Sequence, residues 1–422
     1  MNLHLLSSKL NINTSITITG SKSETNRVLL LQALFPKLKL ENTSNSDDSE
    51  VMLKALSQIL EPTTDNSQPT TIDVHHAGTA MRFLTAYFAI QPNHEVVLTG
   101  SSRMKERPIH ILVEALNSLG AQISYEEKIG FPPLRIKGRA LQKSEMDMEA
   151  NTSSQYISAL LLIAPKLENG LKLHLKGEIT SLPYIKMTLE LLNEIGVETS
   201  FESDTITVLP KTHNPKPKNF MIESDWSSAS YFYSIVALSE IGTQIRLSSY
   251  KENSLQGDSV LAEIYQDFGV KTVFDEHNRM TISKVNCEIQ NLQPITYNLQ
   301  HSPDIAQTIA VTCFGLGLAC HLTGLHTLKI KETDRLQALK NELGKLGASV
   351  SITSDSISLE ASTSIKEKIT IKTYQDHRMA MAFAPLALKT SLIIEDAEVV
   401  SKSYPDFWND MKSCGMSIQE II

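Results

Sequence analysis

The stretch EALNSLGAQISY, Glu114–Tyr125, decides the fold, because its pattern returns four more times. It recurs as LLNEIGVETSF (Leu191–Phe201), IYQDFGVKTVF (Ile264–Phe274), ELGKLGASVSI (Glu342–Ile352) and DMKSCGMSIQE (Asp410–Glu420). In each copy an amphipathic segment ends in an apolar residue and a glycine, and an alternating run follows. Leu112, Leu116 and Leu119 hold helical spacing ahead of Gly120. A glycine there ends the helix in the left-handed region, where a Cβ would clash. The residues that follow, such as Val350 and Ile352 and then Ile357 and Leu359, carry the period of a strand. The polar runs Ser354–Ser356 and Glu276–Asn278 read as hairpin turns. Each unit thus predicts helix, strand, turn, strand.

The five glycines, Gly120, Gly196, Gly269, Gly347 and Gly415, lie 76, 73, 78 and 68 residues apart. A degenerate copy without the glycine falls at Met52–Leu60. Six units fit the length, since 422/6 is about 70 residues each, too long for most solenoid repeats. The expectation is an α/β protein of two domains with three units apiece. No Pro/Gly/Ser-rich or charged run marks a linker. KTHNPKPKNF, Lys211–Phe220, near the midpoint, is where a crossover between domains would fall.

Composition narrows the class. Lys plus Arg is 39 and Asp plus Glu 47, so the net charge is −8; apolar residues make up 41% and charged residues 20%. That balance excludes a disordered chain and a polybasic nucleic-acid binder. The four cysteines, Cys287, Cys313, Cys320 and Cys414, show no C-x-x-C spacing and read as buried thiols of a reducing compartment. The N-terminus has no apolar signal segment. Thr308–Leu328 lacks any Asp, Glu, Lys or Arg, but its glycines and the TGLHT break predict a buried helix and then a buried strand, not a membrane span.

The chemistry-bearing motifs share one design: polar, cation-bearing helix starts. TGSKSETNR (Thr19–Arg27) follows the strand-like Ile12, Ile16 and Ile18 and precedes an apolar helix. That arrangement makes an anion site. It is not a Walker A loop, because both glycine positions of that motif hold other residues, Ile16 and Ser21. HAGTAMRFL (His76–Leu84), SRMKERPI (Ser102–Ile109, with a helix able to start at Pro108) and NTSSQYISALL (Asn151–Leu161) repeat the logic. So do HSPDIAQT (His301–Thr308), IKETDRL (Ile330–Leu336) and YQDHRMAMAFAPLAL (Tyr374–Leu388). Singly, each is an ordinary capped helix or a solvated loop. Together, in an acidic protein, Lys22, Arg27, Arg82, Arg107, Lys331, Arg335, Arg378 and Lys402 suit a substrate with several anionic groups. His75, His76 and His377 lack ligand-pair spacing, so no metal is expected.

These motifs, with SLPYI (Ser181–Ile185) and SKSYPDF (Ser401–Phe407), occur in the order that resembles the 5-enolpyruvylshikimate-3-phosphate synthase family, from about Gly20 to Phe407. The resemblance implies an inside-out α/β barrel of two domains, each with three βαβαββ units. They are 21–224, and 1–20 with 225–422, closing on substrates in a cleft. It implies transfer of the enolpyruvyl group of phosphoenolpyruvate to the 5-hydroxyl of shikimate 3-phosphate, with no cofactor or metal. The enzyme would be a cytoplasmic monomer with no nucleic-acid or membrane partner.

By the same resemblance, Lys22, Ser23, Arg27, Ser153, Ser154, Gln155, Ser181, Tyr184, Asp304 and Lys331 would hold shikimate 3-phosphate. Lys22, Gly78, Arg107, Gln155, Arg335, Arg378 and Lys402 would hold phosphoenolpyruvate. Asp304 would accept the hydroxyl proton, Glu332 would carry protons at the methylene carbon, and His377 would sit near the transferred phosphate. Glyphosate would compete with phosphoenolpyruvate beside Gly78. The sequence departs from the family pattern at Thr19, His76, Phe83 and Thr327. The sister enzyme acting on UDP-N-acetylglucosamine carries a Cys in the loop matching Ser101–Ile109, and this chain has none there.

Overall fold

The computed structural model describes residues 1–8, 10, 13–58, 69–150, 153–177, 179, 182–211, 218–286 and 294–421. Ile12, Leu60, Asn151, Ser181, Cys287 and residues 212–217 of the midpoint loop lie outside the described residues. The chain forms two compact units, Gly20–Ile222 and Met1–Thr19 with Glu223–Ile422.

Within Gly20–Ile222 the repeat is seen whole in Thr70–Asp73, Gly78–Ala89, Glu95–Thr99, His110–Ser118, Gln122–Tyr125 and Leu134–Lys137. Its strands form a four-stranded sheet. The first two pair in parallel, as a crossover helix requires, and the last two form an antiparallel hairpin, with Ile123 opposite Ile136. A second such sheet joins Thr199–Glu202, Thr205–Val208, Leu171–Lys176 and Glu145–Glu149. The degenerate unit shows only Lys218–Met221 parallel to Leu38–Glu41, since its expected hairpin falls on residues outside those described.

The other unit holds three four-stranded sheets of the same order. The N-terminal strand Asn2–Leu5 sits between Leu392–Ile394 and Ile418–Ile421, antiparallel to both. Asn13–Ile16 runs parallel to Gln244–Leu247. Thr308–Leu328 resolves as predicted into a buried helix, Ala306–Leu316, and a strand, Cys320–Thr323. Among the described residues no helix is long and apolar enough to cross a membrane.

All five repeat glycines have positive φ, from 72° at Gly269 to 107° at Gly120. The chain's first crossing depends on another glycine: a Cβ on Gly20 would lie 1.9 Å from the Asn42 carbonyl oxygen. Asn42 also donates to the Ile222 carbonyl at 2.8 Å, and Ser224 Oγ donates to the Ile18 carbonyl at 2.5 Å, so each unit secures its own side of the two crossings.

The inside-out character lies in the burial. The helices Trp226–Leu238 and Ser154–Ile163 are buried nearly all round, whereas strands such as Gln244–Leu247 alternate exposed and buried. A helix covered on every side must be apolar or satisfy its polar groups internally. The serines of Trp226–Leu238 do the second. Ser230 hydrogen-bonds Thr308, and Ser234 accepts from Thr312, joining this helix to Ala306–Leu316.

Candidate active site

In the unit Gly20–Ile222, four helix starts carry the predicted residues. Lys22 opens the helix Lys22–Leu34 and pairs with Asp48 at 3.4 Å. Arg27, one turn on, is only 2% exposed. Its guanidinium donates to Thr188 Oγ1 at 2.8 Å, Ser158 Oγ at 3.1 Å and the Ser23 carbonyl at 2.7 Å. It also lies over the Phe83 and Tyr184 rings, 5.4 and 5.7 Å from their centroids. Burial lowers its pKa to about 10, so it stays charged at neutral pH. Phe83, one of the departures from the family pattern, therefore supplies a cation–π face.

Gly78 opens the helix Gly78–Ala89. A Cβ there would lie 2.6 Å from Arg107 Nη1 and 2.9 Å from Arg82 Nη1, so both guanidiniums crowd this helix start. Arg82 donates to the Gly78 carbonyl at 2.8 Å, and burial, then Arg107, lowers its pKa to about 10. Its Nε has no hydrogen-bond partner among the described residues. Gln155 reaches across from the helix Ser154–Ile163 and donates to Thr79 Oγ1 at 3.1 Å. Ser153 caps that helix, accepting from the Gln155 amide. The basic loop differs from expectation. Ser102–Lys105 is a short helix and the next begins at His110, not Pro108. Among the described residues Glu106 pairs with Arg103 alone, while Lys105 goes to Glu127.

In the other unit the predicted groups form one charge network. Asp304 sits in the turn Pro303–Ile305 before the helix Ala306–Leu316. It is not a cap. Its Oδ1 accepts from Arg335 Nη1 at 2.8 Å and lies 3.5 Å from Lys331 Nζ; its Oδ2 accepts from Arg378 Nη2 at 3.2 Å. Arg335 is 2% exposed, not part of a solvated face. It also donates to Glu332 at 2.8 Å and to Asp376 at 2.6 Å. Asp334 caps its helix, accepting from the Gln337 amide at 3.1 Å. Burial alone would raise the Asp304 carboxyl, but Lys331, Arg378, Arg335 and His377 outweigh it and hold it well below the usual range.

Asp376, 0% exposed, caps the helix His377–Phe383 and orients Arg378. His377 is buried beside it, with Nδ1 4.0 Å from Asp376 Oδ1. Among the described residues Arg378 Nε has no partner. Lys402 donates to the Gln375 carbonyl at 2.8 Å. Thr327 Oγ1 is buried without a partner among the described residues.

Several participants were missed from sequence. Asp48, Ser158 and Thr188 bind the predicted cations of one unit. Asp258 is the counterpart in the other: burial, then Asp304, pushes its carboxyl up to about 7, partly offset by Arg378. Asp48, Thr188 and Asp258 stand outside the motifs read from sequence, and Ser158, inside NTSSQYISALL, carries no charge that would mark it. Among the described residues no group of three or more His, Cys, Asp or Glu is placed to hold a metal.

Repeated βαβαββ units with arginines and lysines gathered at helix N-termini define a fold of the enolpyruvyl-transferase class. Two solved EPSP synthase structures from Acinetobacter baumannii share it, with TM-scores of 0.80 and 0.79 at 20% identity, covering 99% and 100% of this chain and all of theirs. Residues 7–411 match the family described as EPSP synthase (3-phosphoshikimate 1-carboxyvinyltransferase). A protein of Bacteroides fragilis (strain YCH46) named 3-phosphoshikimate 1-carboxyvinyltransferase is 45% identical over 99% of this chain and 98% of its own. One of that name from Photobacterium damsela subsp. piscicida is 35% identical over 95% of this chain and 96% of its own. The chain belongs to the EPSP synthase family.

Proposed function

We propose that this chain transfers the enolpyruvyl group of phosphoenolpyruvate to the 5-hydroxyl of shikimate 3-phosphate, releasing phosphate, in chorismate and aromatic amino acid biosynthesis. The observation that carries the reading is Asp304, an ionised acceptor bound to three cations in a chain of this family. Each substrate bears a phosphate and a carboxylate, and cations at helix starts suit such groups. Residues 21–224, and 1–20 with 225–422, are the two transferase domains, in keeping with a contact division at residues 19/20 and 222/223.

Lys22, Ser23, Arg27, Ser153, Ser154, Gln155, Ser181, Tyr184, Asp304 and Lys331 hold shikimate 3-phosphate in this reading. Lys22, Gly78, Arg107, Gln155, Arg335, Arg378 and Lys402 hold phosphoenolpyruvate. Arg27 acts from beneath the surface, its planar fork spanning Thr188 and Ser158 and leaving the charge near the helix start.

The chemistry follows from charge. Glu332, beside Arg335, delivers a proton to the methylene carbon, leaving the adjacent carbon electron-deficient. The 5-hydroxyl oxygen bonds to that carbon as Asp304 takes its proton, giving a tetrahedral intermediate. The carbon–oxygen bond to phosphate then breaks as the new methyl group loses a proton to Glu332. His377 lies on the phosphate side. Paired with its cations, Asp304 is a weak base. Substrate anions compete for Arg335 and Arg378 and so raise its proton affinity when it is needed. The steps call on no metal and no cofactor.

One chain carries every group, so a monomer suffices. The buried free thiols Cys313, Cys320 and Cys414 support a reducing, cytoplasmic setting. The test is phosphate release that requires both substrates, beside calorimetric titration with shikimate 3-phosphate and with UDP-N-acetylglucosamine. Heat from the UDP-sugar alone would favour the sister reaction instead.

A further inference from the structure

We infer that Tyr374 and Glu342 are positioning residues: they hold the Tyr374–Gln375 turn in a left-handed conformation that sets Asp376 and Lys402, and through Asp376 sets Arg335 and Arg378. The inference rests on the reading that Arg335, Arg378 and Lys402 bind phosphoenolpyruvate.

Tyr374 has φ of 54° and Gln375 of 58°. Two consecutive non-glycine residues in this region are strained, and such strain persists only where the surroundings over-determine it. Gln375 is exposed, so its side chain gains no burial that offsets the strain. The anchor is Tyr374, whose hydroxyl donates to Glu342 Oε1 at 2.6 Å. Burial, then Glu342, keeps that hydroxyl protonated by raising its pKa. Glu342 is itself fully buried on the helix Arg335–Leu346. Its Oε2 accepts from Lys345 Nζ at 2.5 Å and from the Lys372 amide at 3.0 Å, which fixes the strand end leading into the turn.

Three groups of the site depend on that backbone. The left-handed Gln375 aims its carbonyl at Lys402 Nζ, 2.8 Å away. The next residue, Asp376, receives Arg335 Nε at 2.6 Å and the Arg378 amide at 2.9 Å. A relaxed turn would rotate the carbonyl from Lys402 and shift Asp376 under both arginines. Glu342 stands two helical turns from Arg335, so one helix carries both the cation and the anchor of the turn that orients it.

The test is Tyr374→Phe, which keeps the ring and removes one hydroxyl. We expect kcat/KM for phosphoenolpyruvate to fall about 10- to 100-fold, as misplaced binding groups do, while the KM for shikimate 3-phosphate stays within about twofold. Gln375→Gly in the Tyr374→Phe background should restore the phosphoenolpyruvate KM, because glycine takes the left-handed conformation without an anchor. Unchanged phosphoenolpyruvate kinetics in Tyr374→Phe would overturn the inference. So would a parallel rise of both KM values with a lowered unfolding midpoint, which marks general loosening. A wild type without two-substrate phosphate release would sink the proposed function, and this inference with it.

Discussion

Asp304→Asn separates binding from proton transfer. The amide has the same shape and still offers one oxygen acceptor, but it cannot take a proton. Its three partners keep other contacts: Arg335 keeps Asp376 at 2.6 Å and Glu332 at 2.8 Å, Arg378 keeps Ser227 Oγ at 3.2 Å, and Lys331, one-third exposed, keeps water. The stability loss should therefore be about 1–3 kcal/mol, the cost of a charged hydrogen bond, below the 3–5 kcal/mol of an orphaned buried charge. Turnover should fall about 10²–10⁴-fold, or roughly 3–5 kcal/mol of barrier. The assay pairs phosphate release at saturating substrates with calorimetric binding of shikimate 3-phosphate, which the variant should retain. A second signature follows from the depressed Asp304 pKa. Its ion pairs add stability above the unfolded carboxylate range and lose it as pH falls through the lower, folded value. The advantage of wild type over Asp304→Asn in urea should then shrink in acid. Turnover within about tenfold of wild type would refute the base assignment.

Asp258 has the opposite sign: with a folded pKa of about 7, it adds stability below the unfolded value and loses it as pH rises through 7. Asp258→Asn should abolish a fall of up to about 4 kcal/mol between acid and mildly basic pH, and urea midpoints at the two ends that move alike in both proteins would contradict this. Gly78→Ala would press a methyl to 2.6 Å from Arg107 Nη1 and 2.9 Å from Arg82 Nη1, the movable ends of long side chains. Glyphosate, longer than phosphoenolpyruvate, should lose more affinity, about 1–3 kcal/mol, and matching inhibition curves for both proteins would place Gly78 elsewhere. Thr188→Val removes the Arg27 Nε acceptor at 2.8 Å and should weaken shikimate 3-phosphate binding by about 1–3 kcal/mol in calorimetry.

The repeat was legible because its signals are local. Helix spacing, a left-handed glycine and strand alternation all lie within twelve residues of one another, and five glycines obey the pattern in the structure. Most of the cations were legible for the same reason: Lys22, Arg27, Arg82, Arg335 and Arg378 lie in the first two turns of helices, whereas Arg107, Lys331 and Lys402 stand at or beyond helix ends and were marked only by their motifs. Strand partners are another matter. Asn2–Leu5 pairs with Leu392–Ile394 and Ile418–Ile421, and nothing in its four residues points some 400 positions away. Its placement with the C-terminal half came from family resemblance, not from pattern.

The site's electrostatics were illegible for a deeper reason. From sequence alone Arg27, Arg82 and Arg335 are equivalent to Lys22, yet burial divides them. Arg82 and Arg27 are desolvated among hydroxyls, carbonyls and rings, and their pKa values fall. Arg335 is as deeply buried as Arg27, but its pKa rises because Asp376, Glu332 and Asp304 surround it. The difference is set by carboxylates at positions 304 and 376, drawn in from 31 residues before and 41 after. Two arginines with the same exposure thus do opposite work. Arg27 faces hydroxyls, a carbonyl and rings, with Glu24 offsetting only part of its desolvation, whereas Arg335 is already paired with carboxylates and, in the proposed reaction, exchanges one of them for a substrate group. On the proposed assignment that exchange ties binding to the basicity of Asp304, because the anion that displaces it from Arg335 also frees it to accept a proton.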